Sequence, residues 1–175
     1  MGIRALSWTL CGVVLVVVGC GPTEEDRNRI AAISADPLLQ IEPDDFQERR
    51  QLEALATAES PAFGRSSNLF GFVYDLPVTN ELATLLTPYV EHLTDEGWSE
   101  ISVRCRDNDI TVIARRPQDS YVALAQVSAR NPAPQDGEAP PPSRLAVTIE
   151  APHSSSRDNR YVAEARPELD CLAMD

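Results

Sequence analysis

The sequence contains no lysine, and its positive side chains are 15 arginines. Against these stand 27 acidic residues, which give the 175-residue chain a formal net charge of −12 at pH 7. Contacts to nucleic-acid phosphates come mainly from clustered Lys and Arg, so this balance argues against nucleic-acid binding. Anionic lipid headgroups would also repel such a chain, so charge alone cannot hold it at a membrane.

Glycine and histidine are scarce, with eight and two copies respectively. The glycines form neither a dinucleotide-binding loop nor a P-loop, and no serine lies in a nucleophile-elbow pattern. The two histidines, His92 and His153, and the four cysteines show no metal-ligand spacing. We therefore predict no metal, no cofactor and no catalytic residue.

One long apolar run lies at the N-terminus, where Ala5 to Gly19 carries no charge. A spanning helix needs about 20 apolar residues, so this run is short for a permanent anchor and has the length of a signal-peptide core. It ends in Val17-Val18-Gly19-Cys20, which resembles the lipobox of bacterial lipoproteins. The resemblance implies that residues 1–19 are a signal peptide and that Cys20 is lipidated and becomes the first residue. The alternatives are an uncleaved membrane helix and an ordinary secretory signal.

Two cysteines remain once Cys11 is removed with the signal peptide and Cys20 is acylated. An exported protein lies in a compartment that permits disulfides, so we predict that Cys105 and Cys171 form a single bridge. The closed loop of about 65 residues would contribute roughly 4 kcal/mol in chain-entropy models. The alternative is a pair of free thiols.

Residues 20–67 are polar and predict a lipid-tethered, partly helical arm. Thr23 followed by three acidic residues is typical of a helix start, and Asp36-Pro37 ends that helix. A second helix is predicted from Phe46 to Ala56, capped by Asp44 or Asp45. We expect the arm to pack loosely; the alternative is a lid or a spacer above the membrane.

An α+β domain is predicted over residues 68–175. Its clearest signal is an amphipathic helix with six apolar residues at helical spacing: Leu82, Leu85, Leu86, Tyr89, Val90 and Leu93. Thr79 or Asn80 would cap its N-terminus. Gly97 suits the left-handed position after its C-terminus, and Trp98 would then contact Leu93 in a Schellman motif.

Alternating apolar residues predict five strands around this helix, at residues 69–76, 101–105, 110–114, 121–129 and 145–149. Asp107-Asn108 offers a hairpin turn, and residues 131–143 form a proline-rich loop. Short turns make neighbouring strands antiparallel, so the prediction is an antiparallel sheet of about five strands with the helix on one face.

Four arginines form the one local excess of positive charge: Arg104, Arg106, Arg115 and Arg116. Arg104 and Arg106 share the strand face opposite Cys105, and the other two follow on the next strand. We interpret them mainly as a solvated face with cross-strand ion pairs. The alternative is a patch that binds a small anion or an acidic partner.

The lipobox, the lack of lysine and the acidic domain look like lipoproteins of high-GC actinobacteria. Within these, Asp36-Pro37, Gly97-Trp98 and Cys105 resemble a loose group of small lipoproteins that brings no activity with it. The resemblance implies a protein held at the extracytoplasmic face of the cell membrane through Cys20. We expect a non-enzymatic module that binds a protein or small-molecule partner and no nucleic acid. The alternative is a cell-envelope hydrolase, which a cleft around His92 or His153 would favour.

Overall fold

A computed structural model describes residues 22–54, 67–79, 81–134 and 139–152. These residues form a six-stranded antiparallel sheet with two α-helices and one short 3-10 helix. In chain order the elements are α1 (Glu24–Ser34), the 3-10 helix (Pro37–Gln40), β1 (Glu48–Ala54), β2 (Ser67–Leu76), α2 (Leu82–Asp95), β3 (Ser99–Arg106), β4 (Asp109–Pro117), β5 (Val122–Arg130) and β6 (Ser143–Pro152).

The order of strands across the sheet is β1-β2-β6-β5-β4-β3. The α+β class and the antiparallel sheet are as predicted, but the sheet has six strands rather than about five, and two α-helices rather than one. α1 packs on β2 and β6, and α2 packs on β3, β4 and β5. Both helices therefore cover one face, which we call the inner face, and the face opposite is the outer face.

The extra strand is β1, and the helix predicted from Phe46 to Ala56 is wrong. β1 is an edge strand that pairs with β2, with Glu48 opposite Asp75. Its polar residues have good helix propensity, but pairing with an aromatic strand overrides that weak preference. The Arg49 guanidinium lies 3.7 Å from the centroid of a β2 aromatic ring, which adds a cation–π contact to the pairing.

The described part of the N-terminal arm is packed into the core rather than loosely attached. Leu38 and Leu39 of the 3-10 helix are fully buried, and Ile33 of α1 is buried with them. The Tyr89 hydroxyl of α2 donates a hydrogen bond to the Ile41 carbonyl at 3.1 Å. Residues 22–54 thus belong to the same layers as the rest of the sheet.

The ends of α2 confirm one predicted cap and correct the other. Gly97 has φ +75°, and the Trp98 N–H donates to the Leu93 carbonyl at 3.2 Å, which is the long hydrogen bond of a Schellman motif. At the other end the N-cap is Glu81, which makes no side-chain cap hydrogen bond. Thr79 lies two residues earlier, and its hydroxyl accepts from the Glu81 N–H.

The remaining strands follow their predicted pattern closely. β3 and β4 form a hairpin around Asp107 and Asn108. In the middle of β2, a Cβ on Gly71 would lie 2.2 Å from the Val147 carbonyl oxygen, so the close approach of β6 requires glycine there. Of the helices in the described residues, none has the length and apolar character to cross a membrane.

Candidate functional site

Three of the residues singled out in the sequence, Cys20, His153 and Cys171, lie outside the described residues. Cys105 is half-buried on the inner face of β3 and is disulfide-bonded. Its pairing with Cys171 stays a prediction, because no other cysteine is among the described residues. His92 is half-buried on α2, and its Nε2 atom is buried.

The four clustered arginines of the sequence lie at two opposite ends of the β3–β4 hairpin. Arg104 and Arg106 are paired with residues near the turn, whereas Arg115 is opposite Ser99 at the far end. Arg115 lies four positions along β4 from Thr111, the partner of Arg104, which corresponds to about 13 Å. Arg115 and Arg116 therefore do not lie beside Arg104 and Arg106, because β3 and β4 run in opposite directions from the turn.

Arg115 and Arg116 are already engaged within the fold. Arg115 Nη1 lies 2.9 Å from Glu100 Oε2 on the outer face. Arg116 points to the inner face, forms an ion pair with Asp36 and lies 4.4 Å from the centroid of the Trp98 ring. The Asp36 side chain is only 2% exposed, so this pair holds the start of the 3-10 helix against β4.

The outer face carries a row of charges that runs across all six strands near one end of the sheet. One residue of each strand contributes, in register: Glu48, Asp75, Arg144, Arg130, Asp109 and Arg106. We call these six residues the charged row. At about 4.8 Å per strand the row is about 24 Å long.

The two halves of the charged row differ in how their charges are paired. On the β1–β2–β6 side, Arg144 Nε lies 3.2 Å from Asp75 Oδ1, and Arg50 Nη2 lies 3.3 Å from the same oxygen. On the β5–β4–β3 side, Arg106 and Arg130 are exposed and form no ion pair within the described parts of the chain.

Arg104 lies two residues from Arg106 on the same face of β3 and is likewise exposed and without an ion pair among the described residues. We call Arg104, Arg106 and Arg130 the arginine surface. Asp109 is the one acid placed between them in register, and its Oδ1 atom accepts a hydrogen bond from the Thr111 hydroxyl at 3.1 Å. Sequence reasoning missed Arg130, whose proximity depends on the register of β5 with β4.

The opposite end of the sheet carries a buried polar cluster that attaches α1. The Asp26 carboxylate accepts hydrogen bonds from the Thr23 N–H (3.1 Å), the Thr23 hydroxyl (2.6 Å) and the Asn68 amide (3.1 Å). Arg29 donates to the Pro152 carbonyl at 2.8 Å. We call these five residues the α1 polar cluster. It confirms Thr23 as the helix cap and ties α1 to the start of β2 and the end of β6.

Three tyrosines on the inner side have a raised pKa because of their surroundings. Burial raises the pKa of Tyr74, Tyr89 and Tyr121 above the ordinary value of 10.0. For Tyr121 the nearby Arg29 and Arg116 guanidiniums oppose this pKa increase without cancelling it. At neutral pH these hydroxyls hold their protons, and among them the Tyr89 hydroxyl donates to the Ile41 carbonyl.

Within residues 22–54, 67–79, 81–134 and 139–152, no three or more His, Cys, Asp or Glu side chains are grouped to hold a metal ion. Comparison with protein-family models, curated proteins and solved structures found no match to the chain. The arginine surface, whose charges are exposed and form no ion pair with any described residue, is the candidate functional site.

Proposed function

We propose that the mature chain is a lipid-anchored, extracytoplasmic and non-enzymatic binding module that presents the arginine surface away from its membrane. The lipid anchor follows from the resemblance of Val17-Val18-Gly19-Cys20 to a lipobox. Two acyl chains suffice for stable anchoring without help from protein charge. An acidic domain is therefore compatible with attachment.

The observation that carries the proposed orientation is the position of α1. Only residues 21–23 separate Cys20 from the first helical residue, Glu24. Four Cα–Cα steps span at most about 15 Å even when fully extended. A lipid on Cys20 would therefore hold the start of α1 close to the bilayer surface.

The α1 polar cluster joins α1 to the sheet and so places one end of the sheet near the anchor. It fixes α1 at Asn68 and Pro152, near the start of β2 and at the end of β6. Asp75 of the charged row lies seven residues further along β2, which corresponds to about 23 Å. A domain tethered in this way carries the arginine surface at the end remote from the anchor.

Binding rather than catalysis is supported by the character of this surface. Its groups are permanently charged guanidiniums on regular strands, and an arginine does not lose its proton under physiological conditions. Fixed, exposed donors suit recognition of carboxylates or phosphates.

Intact-mass measurement of the protein extracted from its native membrane tests the anchor. We expect a chain that begins at Cys20 and carries the mass of an added diacylglyceryl group. Cys20→Ala should block lipidation and leave the signal peptide in place, whereas the matched control Cys11→Ala should mature normally. An unmodified Cys20, or a mature chain that retains residue 1, would contradict the proposal.

A further inference from the structure

We propose that the arginine surface binds an acidic polypeptide segment in an extended conformation, an inference that deepens the proposed function by naming its partner class. Arg104 and Arg106 are on β3 and Arg130 is on β5, and Asp109 of the intervening strand β4 lies between Arg106 and Arg130 in register. The chain as a whole has a net charge of −12, so this surface is locally opposite in sign to the protein. Charge complementarity therefore favours an anionic partner at this place.

The spacing of the guanidiniums fits carboxylates on an extended chain. Arg104 and Arg106 are two residues apart on β3, which places their Cα atoms about 6.8 Å apart. Alternate side chains of an extended peptide on one face have the same repeat. Arg130 lies two strands from Arg106, about 10 Å away and perpendicular to this repeat, so it would contact the same segment from the side through its long side chain. Each guanidinium can bind a carboxylate through two parallel hydrogen bonds.

Protection of the sheet edge explains only part of this surface. Charged residues on an edge strand discourage pairing with other chains, and β3 is an edge strand that carries Arg104 and Arg106. Arg130 is on β5, which lies between β6 and β4 in the interior of the sheet. It also stands directly opposite Arg144, and like charges at such a position destabilise a sheet. A bound acid would relieve that repulsion.

The headgroups of the protein's own membrane are a poor fit as the anionic partner. In the proposed orientation the charged row lies about 23 Å along the sheet from the α1 polar cluster. The Debye length at physiological ionic strength is about 8 Å, so anionic headgroups at the anchored end would be screened. The partner is then a separate protein that presents an acidic segment.

A binding measurement with the full lipidated chain in neutral phosphatidylcholine nanodiscs tests this inference. The probe is a fluorescent peptide of about six Glu-Ser repeats, whose acids share one face when it is extended. The double variant Arg106→Gln/Arg130→Gln should bind it at least about tenfold more weakly than the unaltered chain. The control Arg27→Gln/Arg50→Gln removes the same charge from exposed arginines outside the arginine surface, of which Arg50 is already paired with Asp75, and should change binding less than about twofold.

Three outcomes would overturn the inference: an equal loss in both double variants, equal binding of a Gln-Ser repeat peptide, or tighter binding of inorganic polyphosphate than of the acidic peptide. The last would assign the surface to a phosphate polymer instead. Failure of binding while Cys20 carries its lipid would refute the acidic partner and leave the anchor intact. Peptide binding by protein that is extracted from its native membrane with an unmodified Cys20 would support the partner and refute the anchor.

Discussion

The two ends of the sheet use charged residues in opposite ways. At the α1 end, Asp26 is fully buried and accepts hydrogen bonds from both Thr23 and Asn68. At the other end, Arg106 and Arg130 are exposed and form no ion pair among the described residues. Buried charges must be paired because desolvation is costly, whereas exposed charges need no partner to be tolerated.

This difference separates what stabilises the molecule from what is available to a partner. The charges of the α1 polar cluster are committed to holding α1 on β2 and β6. The arginine surface contributes little to folding and includes a like-charge pair, Arg130 opposite Arg144, that opposes it. Mutations at the two ends should therefore have different consequences for stability.

The largest expected effect is at Asp26. Asp26→Ala removes an acceptor from the buried Asn68 amide and also removes half of the capping box at Thr23. Lost buried hydrogen bonds to a carboxylate and a lost cap together cost about 3–5 kcal/mol in the free energy of unfolding. Urea unfolding measures this change. The exposed Asp119→Ala is the matched control, and equal destabilisation by both would show that the α1 polar cluster is not a stabilising feature.

The predicted disulfide ranks next, since it would join the arginine end of the sheet covalently to the C-terminal tail. Cys105 lies on the inner face of β3, and its sequence neighbours Arg104 and Arg106 lie on the outer face. Cys171→Ser should lower the free energy of unfolding by about 2–4 kcal/mol. Cys11→Ser should have no effect on the mature protein. Two thiols that react on alkylation of the non-reduced mature protein would contradict the pairing.

Alkaline pH should weaken the fold through its buried tyrosines. The pKa of Tyr74, Tyr89 and Tyr121 is raised by burial, so above pH 10 the folded state holds protons that the unfolded state has lost. The free energy of unfolding should therefore fall as pH rises above 10, by at most about 1.4 kcal/mol per pH unit for each such tyrosine. Ultraviolet absorbance of tyrosinate follows the ionisation. Ordinary titration of every tyrosine near pH 10 in the folded protein would contradict the burial.

Local signals in the sequence predicted the features that depend on a few neighbouring residues. The Thr23 cap, the Schellman motif at Gly97 and the hairpin turn at Asp107 each need only contacts within about six residues along the chain. The apolar stripe of α2 is equally local, because its period alone defines the buried face. These elements are present as predicted.

Features that depend on register between distant strands were not readable from the sequence. β1 is a strand because β2 lies beside it, although Glu48 to Ala54 has no clear strand pattern. The composition of the arginine surface depends on register in the same way. Arg115 is near Arg106 in sequence but lies at the other end of the β3–β4 hairpin. Arg130 is far from Arg106 in sequence and lies near it because β3 and β5 both pair with β4. Long-range pairing is set by packing of the whole sheet rather than by local preference.

The smallest expected effect on stability is at Arg130. Its sign is opposite to the effect at Asp26, so it tests directly whether the two ends of the sheet differ. Arg130→Gln removes the charge opposite Arg144, whose guanidinium stays paired with Asp75. Relief of a cross-strand like-charge pair should raise the free energy of unfolding by about 0.2–1 kcal/mol. The control Arg144→Gln breaks the pair with Asp75 and removes the same repulsion, so we expect less gain than at Arg130. Urea unfolding at about 20 mM and 500 mM salt checks this, because the gain from Arg130→Gln should shrink as salt screens the repulsion. A clear loss of stability on Arg130→Gln would show that this arginine holds the sheet together, and the contrast between a structural end and a binding end would fail.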